Sequence, residues 1–100
     1  MSENNEEEAR NREFLMLADQ FIDLANQKID GHDPSMISAA FMFASSRFCA
    51  FSVAAQIDDA KEFEKEKGAA LEHYSGEFYN MLEQNLDRHD ELLNDGEEDN

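Results

Sequence analysis

Four kinds of residue in this chain could carry chemistry, and each such chemistry sets its own requirements. The single cysteine, Cys49, lies in the run Phe48-Cys49-Ala50-Phe51. A nucleophilic thiol needs a nearby base and an electropositive setting. Arg47 is two residues away and points elsewhere on a helix, so Cys49 reads as a small apolar filler. His73 has Glu77 one helical turn on, and His89 is followed by Asp90. The residues three before these histidines are Ala70 and Leu86, so neither makes the Glu-x-x-His pair of a di-iron bundle. No H-E-x-x-H occurs, and no metal, cofactor or catalytic residue is expected.

Asp30-Gly31 could belong to a calcium loop. With Gly31 at the sixth position, positions one, three, five and twelve are Asn26, Lys28, Asp30 and Ile37. A lysine and an isoleucine where oxygen ligands belong defeat that site. No glycine-rich phosphate loop and no serine elbow is present, so the chain is expected not to be an enzyme.

Arg47 is the last of the four. It is the only charged side chain between Asp33 and Asp58, and it flanks an apolar seam. A partly buried guanidinium seeks a carboxylate, and a helical hairpin register offers Asp19, Glu64 or Glu72. Two roles follow: a structural ion pair with Asp19, or a polar pocket formed with Asn26, Tyr74 and Asn85.

The elements that must position these residues are helices. Phe14, Leu17, Phe21 and Leu24 form one seam and Leu15, Ala18, Ile22, Ala25 and Ile29 its neighbour, at the three- and four-residue spacing of an amphipathic helix. That predicts a helix over residues 13–29, which Glu6–Arg12 either extends or frays, preceded by an acidic, poorly ordered arm within 1–12. Gly31 suits a helix terminus, and Asp33-Pro34 reads as an N-cap followed by proline at the first helical position. A second helix is predicted from Pro34 to about Gln56. Asp58-Asp59 can cap a third, running to about Leu93, with an acidic tail over 94–100. The domain proper is thus 13–93, and no internal repeat is evident.

Charge is distributed unevenly. Residues 1–30 hold eight acids and three bases, 31–57 one of each, and 58–100 fifteen acids and four bases. A neutral, apolar second helix between charged neighbours is expected to be central and shielded. Residues 36–57 have the length of a membrane span, about 20 residues. Arg47 in mid-span, four serines and the lack of basic flanks favour a buried soluble helix instead. The fold class expected is all-α: a three-helix up-down bundle with a long third helix.

One hundred residues, net charge −16 and one cysteine bound the rest. The size allows one modest core. A lone cysteine cannot form an intrachain disulfide, so a reducing, cytoplasmic setting is expected. The polar N-terminus lacks the features of a secretory signal. Net negative charge repels phosphate backbones and anionic lipids, so neither nucleic acid nor membrane is an expected partner. A basic protein partner fits.

Helix lengths add a constraint. At 1.5 Å per residue the second and third helices span roughly 33 and 54 Å. In an antiparallel hairpin, Met81, Leu82, Leu86, Leu92 and Leu93 then overhang with no cover from the same chain. Either the third helix bends at Gly76 and folds back, or a second subunit covers the stripe. A homo-oligomer, with a dimer favoured, is expected.

The strings Phe21-Ile22-Asp23-Leu24-Ala25-Asn26, Ser38-Ala39-Ala40, Arg47-Phe48-Cys49-Ala50-Phe51 and Tyr79-Asn80-Met81-Leu82-Glu83-Gln84-Asn85-Leu86 together resemble a family of short acidic bacterial proteins of unknown function. The likeness covers about residues 14–88. It implies a bacterial, helical, uncharacterised protein, and it brings no catalytic residue, substrate or cofactor.

Overall fold

The computed structural model describes residues 2–98. They form three helices, α1 (Ser2–Lys28), α2 (Pro34–Ala54) and α3 (Ala60–Glu98), and no strand occurs among the described residues. The fold is all-α, as the apolar periodicity requires. The backbone divides into two units, Met1–Ala50 and Phe51–Asn100, which are described separately. Asp99 and Asn100, at the end of the expected acidic tail, and Met1 of the expected arm lie outside the described residues.

In the first unit α1 begins at Ser2, well before residue 13. The segment expected as an arm is helical for local reasons. Glu6, Glu7 and Glu8 sit near the positive end of the helix dipole. Glu6 with Arg10 and Glu8 with Arg12 have the i,i+4 spacing, acid first, that supports an isolated helix. No glycine or proline interrupts them. Lys28, in the last turn, complements the negative end.

The turn that follows is local chemistry throughout. Gly31 has φ of +154°, a region in which side chains are strained, and its N–H donates to the Ile29 carbonyl at 2.9 Å. Asp33 caps α2: its carboxylate oxygen Oδ1 accepts the Ser35 N–H at 3.1 Å, while its carbonyl accepts from Met36 and Ile37. Pro34 opens the helix, where its missing N–H costs nothing.

Half-buried residues in this unit are Ala18 and Ala25 of α1 and Ile37 and Cys49 of α2. No described residue of the chain is fully buried. The expectation of a shielded central helix is therefore corrected: α2 contains no buried residue. Being apolar around most of its circumference, it has more hydrophobic surface than one neighbour can cover. It is also the one helix, among the described residues, long and apolar enough to cross a membrane.

The second unit holds the end of α2, a turn and α3. Gln56 and Ile57 donate to the Val53 and Ala54 carbonyls at 3.2 Å, winding the helix down beyond Ala54. Of the two candidate caps, Asp59 does the work. Its Oδ1 accepts the Lys61 N–H at 3.0 Å, and its carbonyl accepts from Phe63 at 2.9 Å.

From there α3 runs for 39 residues, about 58 Å at the standard rise. It passes through Gly68 and Gly76 without a break, so the fold-back at Gly76 does not occur. It also continues through residues 94–98, expected as tail. No basic residue occupies that last turn, and acids at a helix C-terminus oppose the dipole.

Candidate functional site

The five residues expected to form a polar pocket or ion pair are divided between the two units. Asp19, Asn26 and Arg47 belong to the first, Tyr74 and Asn85 to the second. Asp19 and Arg47 are both exposed, and among the described residues Arg47 makes no ion pair. Asn85 is committed locally, its Nδ2 donating to the Met81 carbonyl at 2.9 Å. An amide that bonds its own helix in this way has less capacity to hold a ligand.

Tyr74 does line a recess, in different company. In the second unit an open cleft of about 410 Å³ lies between the end of α2, the turn and the first half of α3. Ser52, Val53, Gln56 and Ile57 form one wall, and Glu62, Glu66, Ala69, Ala70, His73 and Tyr74 the other. The half-buried residues of this unit, Ser52, Val53, Ile57 and Ala70, are all part of it. Its α3 wall follows from helical geometry, because residues 62, 66, 69–70 and 73 recur every three or four positions on one face. The rings of His73 and Tyr74 meet edge to face, with centroids 5.2 Å apart and planes at 71°.

Two carboxylates, an imidazole and a phenol can donate and accept hydrogen bonds around a small apolar floor. They do not form a metal centre. No group of three or more His, Cys, Asp or Glu is close enough to hold an ion among the described residues. Cys49 is half-buried and is not among the cleft's lining residues, so its thiol does not belong to this recess. The acidic wall of Glu62 and Glu66 was legible as a helical line. It is masked in the sequence by Lys61, Lys65 and Lys67, which alternate with it as on a solvated face.

The expected self-association stripe is placed in full. Met81, Leu82, Leu86, Leu92 and Leu93 all lie on α3 and are exposed, from 45 % at Leu82 to 70 % at Leu93. Two serine hydroxyls turn inward on their own helices. Ser75 Oγ donates to the Glu72 carbonyl at 3.3 Å, and on α2 Ser46 Oγ donates to that of Phe43 at 2.8 Å.

No curated protein and no solved structure matches the chain. One family model does, over residues 14–89, described as "Protein of unknown function (DUF3144)". That stretch takes in most of α1, all of α2 and α3 as far as His89. The chain belongs to this family.

Proposed function

We propose that this protein is a non-catalytic, cytoplasmic interaction module whose copies associate, dimers being the simplest form, and whose assembled form presents acidic faces to a basic protein partner. The observation that carries the reading is the unbroken course of α3 past Gly76 with its apolar stripe uncovered. Five large aliphatic side chains on one helix half exceed the scattered apolar exposure normal for a monomer. Association of two such ends about a twofold axis hides them without further machinery. The net charge of −16 then remains on the outside, where it repels nucleic acid and attracts cationic surfaces.

Sedimentation equilibrium of the full chain tests this. The expected result is a mass above that of the monomer at micromolar concentration, and a return to monomer in Leu86→Glu/Leu93→Glu with helical content retained. A native chain that sediments as a monomer would sink the proposal.

A small-ligand reading has one observation in its favour, the cleft around Tyr74. Its volume lies within the range of about 300–1,000 Å³ usual for ligand sites. The proposed pocket accordingly shifts from Arg47 to Glu62, Glu66, His73 and Tyr74. A thermal-shift screen with small metabolites tests it; a genuine ligand loses its effect in Glu66→Gln.

A further inference from the structure

The structure leaves a second surface without an occupant, on α2. Asp33, Met36, Ala40, Phe43, Ala44 and Arg47 recur at helical spacing and occupy about a third of the helix circumference. All six are exposed, and Met36 and Phe43 expose 64 % and 67 % of their surface. Cys49, which is half-buried, lies on the opposite side of the helix from Ala40. Ile37, also half-buried, borders the seam, while the six residues of the seam itself are exposed.

Three properties of the seam identify what covers it. First, it is bounded by the only two charges of residues 31–57, Asp33 and Arg47, of opposite sign and equidistant from Ala40. Second, large and small side chains alternate along it. Third, the chain's other charges lie outside this segment, so two copies can meet here without bringing acid against acid.

We infer that α2 packs antiparallel against α2 of a second copy, about a twofold axis at Ala40. In that register Arg47 faces Asp33 of the partner subunit, and the exchange repeats at the other end. Met36 lies against an alanine at position 44, and Phe43 against the isoleucine at 37. Ala40 meets its own equivalent, where the absence of bulk lets the backbones approach.

Asp33 remains the cap of its own helix, since a carboxylate has about four acceptor positions and the Ser35 N–H takes one. Met36 and Phe43 together expose on the order of 260 Å² of side chain, at about 200 Å² for each whole side chain. That is about a third of the roughly 800 Å² per partner that a stable interface buries, before Asp33, Arg47 and the flanking residues are added.

Lipid is the competing occupant of an apolar helix of this length. A guanidinium in mid-span, and Asp30, Asp33, Asp58 and Asp59 at the two ends, oppose insertion into an anionic bilayer.

This inference rests on the self-association proposed above and assigns it a second surface. Its test is charge reversal in the full chain, read by sedimentation. Arg47→Glu sets like charges together at both ends and should raise the dissociation constant at least about tenfold. Asp33→Lys/Arg47→Glu restores opposite charges and should recover most of the loss. Asp33→Asn, which keeps the cap and removes the charge, should weaken association less than Arg47→Glu.

An associating native chain that is indifferent to all three variants overturns the α2 seam and leaves self-association standing. A monomeric native chain overturns both. Sedimentation of the native chain with phosphatidylcholine–phosphatidylglycerol vesicles overturns the seam in favour of lipid. Should Arg47→Glu lose its helix signal, a nitroxide on Ser46→Cys/Cys49→Ser decides. The register predicts an inter-label distance centred between about 20 and 35 Å, and a centre outside that range overturns it.

Discussion

At the scale of single residues, the strongest statements concern the two turns. Gly31 holds a positive φ that only glycine adopts without strain, and a Cβ there would meet no atom within 4 Å. The penalty for Gly31→Ala is thus backbone strain rather than collision. It should destabilise by about 1–3 kcal/mol, read as a lower urea midpoint with an unchanged slope. Asp59→Ala removes the acceptor for the Lys61 N–H and should cost about 1 kcal/mol, while Asp59→Asn should cost little. These positions were legible in the sequence because capping is decided within four residues. Asp33-Pro34 declares its own geometry before any tertiary structure exists. Arg47 illustrates the opposite case. Its charge and isolation were visible, but its partner was not, since no ion pair forms within the described chain.

At the scale of elements, the three helices and their order could be read from apolar spacing and turn signals, while two of their limits could not. The onset of α1 was left open over Glu6–Arg12 because an acidic, polar stretch also looks like a solvated arm. The i,i+4 pairs of Glu6 with Arg10 and Glu8 with Arg12 favour helix just as strongly. The expected shielding of α2 failed for a different reason. Periodicity tells which surface is apolar, but not which chain covers it.

Gly68 and Gly76 are the intrinsic weak points of α3, and a Cβ at either meets nothing within 4 Å. Each change to alanine should therefore stabilise the helix by about 0.5–1 kcal/mol. Thermal melts at fixed protein concentration check this. A fall in stability at Gly76→Ala would instead place a neighbouring subunit against it.

At the scale of the whole molecule, the sign of the salt dependence separates the two kinds of association proposed. Copies that each carry −16 repel one another over about 10 Å at 0.1 M salt and less at higher ionic strength. Self-association through apolar seams should therefore tighten as salt rises from about 0.02 to 0.5 M. Binding of a basic partner to the acidic faces should weaken over the same range. Sedimentation for the first and a pull-down for the second check both in one series. Identical signs would remove one of the two surfaces from the scheme. A net charge could be read from composition, whereas the placement of uncovered apolar surface beside it needed the structure.

The absence of any fully buried residue among those described has a thermodynamic corollary. If most apolar surface leaves water only when copies meet, the native state is reached by a second-order event. Its stability then follows mass action: the melting temperature should climb with each tenfold increase in chain concentration. Abundance itself becomes the control, and a cell that makes less of this protein keeps a smaller fraction of it folded.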